Sequence, residues 1–376
     1  MRKKTSRKKI WIAIGVLFLL VFGRAIITAL KYSPVLFQLV FNKQIELKRS
    51  NGNINVLLLG IGGGNHDGPN LSDTIIFASI DQVKNKVTLV SLPRDLWVQN
   101  ITDNHGGRIN EAYADGENIK KGGGLMLAEA VVSKIVGQQI DYGIRVDFAG
   151  FVKAVDMVGG LDIMIDNTFD DYIYPIEGKE ADSCGKSDSD IQSFIQTASA
   201  SAEQNLAVFF PCRYQHVHFD KGLNHMNGTE ALEFVRSRHA LGSEGSDFAR
   251  SARQQKVIKA FKDKVLSLGI LINPAKVMGL YDILQSSIDT DIKQSEFDDF
   301  IRLADKMKGA VITNTVLDYG DPQTGRSGLL MNPAPSADYG YAWMLIPRTG
   351  MDNFSEIRKY VACEITTGNC PISKTP

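Results

Sequence analysis

Two short segments of this chain concentrate the residue types that bind phosphate. In the first, Asp73 precedes one apolar strand-like run, and Arg94 with Asp95 follows the next. The second segment collects cations, a carboxylate and an amide: Arg236, Arg238, Asp247, Arg250, Arg253 and Gln254. A pyrophosphate is neutralised by guanidinium groups together with a metal ion held on a carboxylate. These residues therefore predict a site for phosphate chemistry with Mg²⁺.

The helix that carries the second segment continues as an apolar stripe. At 100° per residue, Arg250, Gln254, Val257 and Phe261 fall on one face, with Arg253 just beside it. An arginine on a core-facing stripe is costly unless a negative group meets it. We therefore expect the helix to begin at the rim of an anion-binding cavity and to continue along an apolar wall. A phosphate-headed lipid suits that description, and a salt bridge within the protein is the alternative for any single arginine.

The elements that must position these residues alternate between strands and helices. The pattern predicts strands over 55–60, 74–81, 86–91, 142–146 and 161–165, and helices over 124–136, 148–158, 228–239 and 248–268. Helix is expected to continue over 273–310, followed by a strand from 311, a Pro/Gly-rich loop and a short helix near 352–361. Residues 166–220 read as an irregular insertion. This alternation predicts an α/β domain with a sheet covered on both faces.

Charge is distributed unevenly along the chain, although the formal total is zero. Residues 1–9 contain six basic residues, and Ile10–Leu30 is an apolar run of 21 residues interrupted by Arg24. That length suffices to cross a bilayer as helix, and no cleavage signal follows it. We expect an uncleaved anchor with the tail in the cytoplasm and the rest of the chain outside.

Beyond the anchor, the chain is acidic. Residues 33–376 carry 34 basic and 42 acidic groups, a net formal charge of −8. Because binding to a nucleic-acid backbone needs a broad basic face, nucleic acid is not expected as a partner. A local arginine cluster in an acidic domain suits a small anionic ligand instead.

The four cysteines are an even number, which in an oxidising compartment indicates disulfides. Their order suggests the pairs Cys184–Cys212 and Cys363–Cys370, and the two other connectivities remain open. Zinc is not expected from the sequence, and His216 and His218 are interpreted as surface strand residues.

The glycine-rich loop from Gly60 to Gly68 does not fit a nucleotide-binding motif. It lacks the G-x-G-x-x-G spacing and no helical pattern directly follows it. Two interpretations remain: a loop whose backbone amides approach a phosphate, or a plain wide turn.

Several ordered motifs across residues 52–268 resemble the LytR–CpsA–Psr family. They are NLSDTIIFASID, VTLVSLPRDLWV, RINEAYADG, DYGIRVDFAGFVKAVDMVGGLDI, LNHMNGTEALEFVRSRH and SDFARSARQQKVI. Members of this family are membrane-anchored enzymes that transfer glycopolymers from undecaprenyl pyrophosphate to peptidoglycan with the help of Mg²⁺. The resemblance implies a three-layer α/β/α fold, with a central mixed sheet enclosing an apolar tunnel for the polyprenyl chain.

The resemblance also implies roles for individual residues. Asp73 matches a metal ligand, and Arg94 matches a residue that contacts the pyrophosphate. Arg236 and Arg238 match a pair of arginines at the head group, and Arg108 and Asn110 match residues at the edge of the site. The last matching block contains a candidate base, Asp247, and the substrate-binding side chains Arg250, Arg253 and Gln254. Val257 and Phe261 are the expected tunnel walls. One departure concerns the second metal ligand, an aspartate in the family, because the chain has Gly62 there. Either Asp67 substitutes, or the metal binds more weakly.

The sequence thus predicts a single-pass plasma-membrane protein of a bacterium. Its expected parts are a cytoplasmic tail (1–9), a transmembrane anchor (10–31), a connector (32–51), a catalytic domain (52–310, with an insertion over about 167–220) and a C-terminal extension (311–376). The predicted activity is glycopolymer transfer to peptidoglycan. The alternatives are a polyprenyl-pyrophosphate hydrolase and a non-catalytic module that binds polyprenyl phosphates.

Overall fold

The structure is a computed structural model that describes residues 45–64, 66, 68–102, 105–196, 203–245, 247–267, 285, 287–321, 325–334, 336 and 343–373. It divides into two units, Lys48–Ile292 with Met307–Pro376, and Met1–Leu47 with Lys293–Lys306. The anchor predicted over 10–31 lies outside the described residues. Within the described ranges, no helix is both long and apolar enough to span a bilayer.

The first unit contains all but one of the helices named here. The longer strands are β1 (Ile54–Ile61), β2 (Ser72–Asp81), β3 (Lys86–Ser91), β4 (Trp97–Thr102), β5 (His105–Arg108), β6 (Tyr142–Asp147), β7 (Leu161–Ile165), β8 (Phe169–Pro175), β9 (Tyr214–Phe219), β10 (Gly222–Met226), β11 (Ile288–Thr290) and β12 (Val311–Val316). The two-residue strands are β13 (Gly320–Asp321), β14 (Arg326–Ser327), β15 (Leu330–Met331) and β16 (Ile346–Pro347). The helices are α1 (Ala112–Ile119), α2 (Gly124–Val136), α3 (Phe148–Met157), α4 (Asp188–Ile195), α5 (Glu203–Phe209), α6 (Gly228–Arg236), α7 (Asp247–Ser267), α8 (Phe297–Lys306, in the second unit) and α9 (Ser355–Thr366).

A mixed sheet with the strand order β11-β6-β1-β2-β3-β12 forms the centre of the first unit. β1 pairs antiparallel with β2 and parallel with β6, and β12 pairs parallel with β3. β1 is a nearly continuous apolar run because it is central and covered on both faces. The prediction of a mixed α/β domain with a central sheet is confirmed.

Hydrogen bonding at helix ends explains where several elements begin and stop. The Asp147 side chain caps α3 by accepting a 2.7 Å hydrogen bond from the backbone N–H of Gly150. Asn227 and Glu230 form a capping box at the start of α6. Gly137 ends α2 in a left-handed conformation with φ 68°. These caps match the predicted helix starts and stops to within a few residues.

Two hydrophobic clusters hold the first unit together. The first joins one face of the central sheet to α2 and α9, through residues such as Phe77, Ile135 and Ile357. The second joins α3, α6 and α7 to the antiparallel strand pairs β7–β10 and β8–β9, and includes Phe169, Phe219 and Phe234. The second cluster underlies the elements that carry the arginine-rich segment.

Two stretches differ from the predicted secondary structure. The insertion predicted to be irregular contains α4 and α5, and its ends pair as the antiparallel strands β8 and β9. Residues 273–284 of the predicted helix over 273–310 lie outside the described residues. In the described remainder, continuous helix is wrong, because β11 pairs antiparallel with β6 and α8 begins only at Phe297. Both stretches are polar with short apolar runs, so their strands depend on partners that are distant in sequence. The β4–β5 hairpin was not predicted.

Both suggested disulfides are present. Cys184 pairs with Cys212 and Cys363 with Cys370, at Cα–Cα distances of 5.6 and 6.1 Å. The first closes the insertion, and the second follows α9.

The predicted C-terminal extension is an integral part of the sheet domain. β12 forms one edge of the central sheet, in parallel register with β3 from Val311↔Lys86 to Val316↔Ser91. Leu317, Phe354 and Val361 are buried in the first cluster. The boundary predicted at 310 therefore does not separate two folding units.

Candidate active site

The residues singled out by their chemistry meet in a cleft of about 320 Å³ at one edge of the central sheet. The edge is formed by the carboxyl ends of β1, β3 and β6 and by the start of β2. Six predicted residues line the cleft: Asp73, Arg94, Arg236, Arg238, Arg250 and Gln254. It is also lined by His66, Thr74, Phe148, Pro175, Glu180, Val235 and His239, which were not predicted. Strand ends of a sheet commonly form such sites because loops and helix ends converge there.

A chain of alternating charges forms one side of the cleft. Nη1 of Arg94 lies 2.5 Å from Oδ1 of Asp73, and Nε of Arg94 lies 3.6 Å from Oδ2 of Asp95. Oδ1 of Asp95 is in turn 3.5 Å from Nε of Arg108. Asp95 is only 14% exposed, so it fixes the two arginines rather than facing solvent. Arg94 is therefore presented to the cleft by carboxylates on both sides.

Arg108 and Asn110, the residues predicted at the edge of the site, lie behind this chain of charges. Nη2 of Arg108 donates to the carbonyl of Trp343 at 3.0 Å. Asn110 is buried, and its backbone N–H donates to the carbonyl of Arg94 at 3.3 Å. Neither residue lines the cleft, so their contribution in this structure is to hold Arg94 and Asp95.

Arg236 is held by aromatic rings at the end of α6. Its guanidinium lies 4.3 Å from the ring centroid of Phe148 and 5.5 Å from that of Tyr174. Nη2 of Arg236 is also 3.4 Å from Nε2 of His66. Burial raises the pKa of Tyr174 to about 12, so the phenol beside Arg236 stays neutral. The rings orient the cation without neutralising it.

A buried carboxylate that sequence reasoning missed positions the turn after Arg236. Oδ2 of Asp171 accepts from the Ser237 hydroxyl at 2.7 Å and from the backbone N–H groups of Arg238 and His239 at 3.2 Å each. Asp171 is fully buried on β8. Only the pairing of the insertion strands reveals this contact, and no local motif around residue 171 indicates it.

Arg253 does not bind substrate in this structure, which corrects the prediction. The side chain is 3% exposed and donates to the carbonyls of Phe234, Ser237 and Glu244 at 2.8, 2.5 and 2.8 Å. Burial lowers its pKa, opposed by the Glu244 carboxylate. Arg253 therefore ties α7 to the end of α6, because those carbonyls lack partners within their own elements.

The prediction that Val257 and Phe261 form walls of a tunnel is also corrected. Val257 is 3% exposed within the second hydrophobic cluster, and Phe261 packs against the same cluster. Neither residue lines the cleft. The apolar stripe of α7 is core, which is the usual fate of helical apolar periodicity.

Gln254 is the helix residue that reaches back to the sheet. Its Nε2 donates to the hydroxyl of Thr74, next to Asp73, at 3.0 Å. This hydrogen bond fixes the first turns of α7 against the start of β2. Arg250, one helical turn earlier on the same face, lines the cleft as predicted.

An imidazole lies where the family pattern has a carboxylate. A Cβ atom added at Gly62 would lie 2.6 Å from the ring of His66, so only glycine leaves room for that ring. The His66 ring packs edge-on against Phe148, with centroids 5.7 Å apart. Asp67, the predicted substitute ligand, lies outside the described residues.

The donors fit a magnesium ion bound through one carboxylate. Asp73 and Glu180 are the carboxylates that line the cleft within the described part of the chain. Mg²⁺ commonly keeps several waters and binds through one or two carboxylates plus substrate phosphates. Asp247 is the first residue of α7, and its side chain lies outside what the structure describes. Asp73 and Glu180 are therefore the described residues that could hold the ion, and Asp73 is the one predicted from the family pattern.

A mixed α/β domain with a cleft lined by arginines has the side chains that suit a phosphorylated ligand. The LytR_cpsA_psr family model matches residues 30–327, and the chain belongs to this family. Membership agrees with the resemblance carried by its motifs.

Named relatives indicate the activity found among similar proteins. The polyisoprenyl-teichoic acid–peptidoglycan teichoic acid transferase TagU of Bacillus cereus is 26% identical over 258 residues, covering 68% of this chain and 66% of that protein. The corresponding transferase TagV of Bacillus subtilis is 28% identical over 227 residues, covering 60% of this chain and 46% of that protein. The chain thus spans less than two thirds of the length of both relatives.

The fold is also found in solved structures. The crystal structure of B. subtilis TagV aligns with a TM-score of 0.52 at 22% identity, covering 84% of this chain and 98% of that chain. At this identity, the likeness concerns the fold.

Proposed function

We propose that this protein transfers a glycopolymer from undecaprenyl pyrophosphate to peptidoglycan. The observation that carries the proposal is that Arg94, Arg236, Arg238 and Arg250 line one cleft together with Asp73. Guanidinium groups from separate elements suit a multiply charged phosphate group, because each can donate charge-assisted hydrogen bonds. The transferase names of the relatives fit the same chemistry.

In the proposed reaction, a hydroxyl oxygen of peptidoglycan attacks the phosphorus nearest the sugar. The bond from that phosphorus to the bridging oxygen breaks, and undecaprenyl phosphate leaves with the bridging oxygen. The hydroxyl proton passes to a base, for which Asp247 is the candidate. The four arginines stabilise the charge that develops on the phosphate oxygens, each by about 2–4 kcal/mol.

Magnesium is part of the proposal. When bound, Mg²⁺ would supply positive charge next to the phosphate oxygens. Asp73 would hold it, with Arg94 able to exchange the carboxylate for a phosphate oxygen. Asp67 stays a candidate second ligand, and His66 is a poor one because Mg²⁺ prefers oxygen.

The carrier lipid needs an apolar path that leads away from the arginines. A small cavity of about 40 Å³ shares Asp73, Thr74, Arg250 and Gln254 with the cleft and is otherwise lined mainly by apolar side chains, among them Ile75, Leu92, Leu317 and Leu345. We place the first part of the tunnel there, between the sheet and residues after β12. This replaces the path along Val257 and Phe261 and keeps the predicted α/β/α layering.

The proposed location follows from the N-terminal segment. The anchor over residues 10–31 would hold the domain outside the plasma membrane of a bacterium, close to a lipid-linked substrate. Peptidoglycan and the bilayer are then the partners, and no role for nucleic acid is proposed.

The missing carboxylate at Gly62 supports one of the two alternatives. With His66 against that glycine, metal binding would depend on Asp73 together with the candidates Asp67 and Glu180. Weak metal binding favours a non-catalytic module that binds polyprenyl phosphates. A hydrolase, with water as the acceptor, is the other alternative and uses the same chemistry as transfer.

One experiment separates these three functions. The full chain, purified in detergent, is mixed in excess over a radiolabelled undecaprenyl-pyrophosphate glycan, with and without peptidoglycan and Mg²⁺. Label joined covalently to peptidoglycan supports transfer. Release of free glycan phosphate without acceptor indicates a hydrolase, and retention of intact substrate indicates a binding module. An Asp73→Asn variant is the control for background reaction.

A further inference from the structure

A second cluster of ligand-type side chains lies on the hairpin formed by β8 and β9, apart from the cleft. Asp170 on β8 stands directly opposite His218 on β9 in the antiparallel register. His216 lies two residues before His218, so both imidazoles project from the same face of β9. The fold thus brings together two histidines and an aspartate from separate parts of the sequence.

The distances within this cluster are short. Oδ1 of Asp170 lies 2.8 Å from Nε2 of His216 and 2.7 Å from Nδ1 of His218. One atom from each of the three residues lies within 4.8 Å of the other two. Two imidazoles therefore converge on a single carboxylate oxygen.

Neighbouring groups orient both rings. Nε2 of His218 lies 3.3 Å from Oδ1 of Asp220, so the nitrogen that does not face Asp170 has a carboxylate partner of its own. The ring of His216 stacks on Tyr172 with centroids 4.2 Å apart and an interplanar angle of 5°. A metal-binding histidine commonly donates its second N–H to a carboxylate in this way, which fixes the ring and strengthens the ligand.

We propose that Asp170, His216 and His218 form a binding site for a divalent transition-metal ion of the Zn²⁺ type. Two imidazole nitrogens and one carboxylate oxygen are a common three-ligand set for zinc, with a remaining position for water or another ligand. The set does not suit Mg²⁺ or Ca²⁺, which prefer oxygen ligands. The site is therefore chemically distinct from the phosphate cleft.

The geometry needs only a small opening to admit the ion. Ligand atoms around tetrahedral Zn²⁺ are about 3.3 Å apart, from bond lengths of about 2.0–2.1 Å. The two nitrogens must therefore each move about 0.5 Å from Asp170. His216 and His218 are 46% and 44% exposed, so their side chains have room to rotate.

The site lies on β8, which contacts two arginines of the cleft: Arg236 through Tyr174, and the backbone of Arg238 through Asp171. Asp170 is adjacent to Asp171, whose carboxylate holds Ser237 and the backbone of Arg238. A metal ion bridging β8 and β9 would hold the hairpin that carries Asp171. Metal loading is therefore expected to stabilise this part of the domain.

The test is metal binding by untagged full-length protein in detergent. The protein is stripped with a chelator, dialysed, and titrated with Zn²⁺ while binding is followed by calorimetry. We expect one Zn²⁺ per chain, a rise in Tm on loading, and a visible absorption spectrum of four- or five-coordinate Co²⁺ when cobalt replaces zinc. His216→Gln and His218→Gln should each weaken Zn²⁺ binding at least tenfold, and Asp220→Asn about tenfold.

Two control variants separate this site from others. His225→Gln removes an exposed histidine that pairs with Asp162 at 2.7 Å, outside the three-residue cluster, and should leave the affinity unchanged. Asp73→Asn should also leave it unchanged, which excludes binding in the cleft. The proposal is overturned if no saturable binding occurs, or if the variant carrying both His216→Gln and His218→Gln binds Zn²⁺ as the native protein does. Because both histidines are exposed, replacing them is not expected to unfold the protein. The Tm of each variant, measured without metal, checks this.

Discussion

Arg250 and Arg253 stand three residues apart on α7 and have different environments. Arg250 lines the cleft, whereas Arg253 is buried among backbone carbonyls at the end of α6. The same residue type thus serves the site in one case and the fold in the other. Burial and partners distinguish these two uses, and sequence spacing alone does not.

This difference gives a paired prediction. Arg250→Ala should lower transfer by a factor of about 30 to 1,000, because it removes a contact worth about 2–4 kcal/mol in the transition state, while Tm changes little. Arg253→Ala should instead lower the free energy of unfolding by about 3 kcal/mol or more, because it leaves buried carbonyls without donors. Turnover assays and thermal unfolding measure the two effects.

Arg253→Lys is the matched control for the second variant. Lysine keeps the charge, but its ammonium group lacks the planar fork of donors with which the arginine reaches three carbonyls. Arg253→Lys should therefore recover only part of the free energy of unfolding that Arg253→Ala loses. A stable Arg253→Ala protein with defective turnover would contradict the structural role and restore the predicted one.

The sequence was sufficient to predict the cleft residues that stand in recognisable motifs. Asp73, Arg94 and Arg250 were predicted because their types and spacing have a chemical meaning. Asp171 and His66 were missed because their roles depend on contacts that only the fold creates. Their partners are 66 and 170 residues away in sequence, at Ser237 and Arg236. No local pattern encodes such distances.

At the scale of elements, β8 acts as a support for the turn that follows α6. Asp171→Asn should lower the free energy of unfolding by about 1–3 kcal/mol, because an amide cannot accept as well from the N–H and O–H donors around it. It should also weaken binding of a pyrophosphate analogue, since Arg238 loses its backbone anchor. Calorimetric titration and thermal unfolding test both.

Glu180 lines the cleft but takes no part in this turn, so Glu180→Gln should leave Tm unchanged. Unaltered analogue binding in a destabilised Asp171→Asn protein would show that Arg238 is positioned by other contacts.

A half-buried glutamate between α2 and the β6–β11 edge predicts a pH effect on stability. Burial, followed by the charges of Asp291 and Asp289, raises the pKa of Glu129 to about 7 from an ordinary 4.5. The folded state therefore holds a proton that the unfolded state loses between these values. The free energy of unfolding should fall as pH rises from about 4.5 to about 7, and no further above it.

Glu129→Gln should remove this dependence, with a higher Tm than the native protein at pH 8 and a similar Tm at pH 4.5. Within the described residues, Oε1 of Glu129 has no hydrogen-bond partner, so the neutral amide loses little. Thermal unfolding across this pH range measures the difference. Parallel curves for the two proteins would contradict the assignment.

The secondary structure of the sheet core was predictable for physical reasons. Each of β1, β2, β3 and α2 has a strong apolar pattern that is typical of only one kind of element. Their predicted bounds therefore match the observed bounds closely. β8, β9 and β11 mix polar and apolar residues without a clear strand pattern, so their pairing with strands distant in sequence was not evident. Pairing of this kind is a tertiary property, so the insertion and the 273–310 segment were predicted incorrectly.

At the scale of the whole molecule, the charge pattern separates a basic start from an acidic domain. The full chain should sediment with membranes and resist both high salt and alkaline carbonate, because 21 mostly apolar residues from Ile10 to Leu30 are long enough to span the bilayer. A variant lacking residues 1–31 should remain in the supernatant. Fractionation followed by immunoblotting measures this.

A variant with the basic residues of 1–9 replaced by serine is the informative control. It should still resist salt, because the apolar segment and not the tail holds the chain. Release of the native chain by high salt would show a purely electrostatic attachment and would contradict the anchor.

The position of β12 has a consequence for how the chain is made. Thr313 contacts Thr88 across 225 residues of sequence, so the edge of β3 stays uncovered until β12 has been synthesised. An uncovered strand edge recruits other strands, and pairing over such distances is slow. Ribosome-bound or half-translocated chains would therefore be vulnerable to aggregation and proteolysis. A chain that stops before residue 311 would lack β12 and leave the edge of β3 without its partner strand.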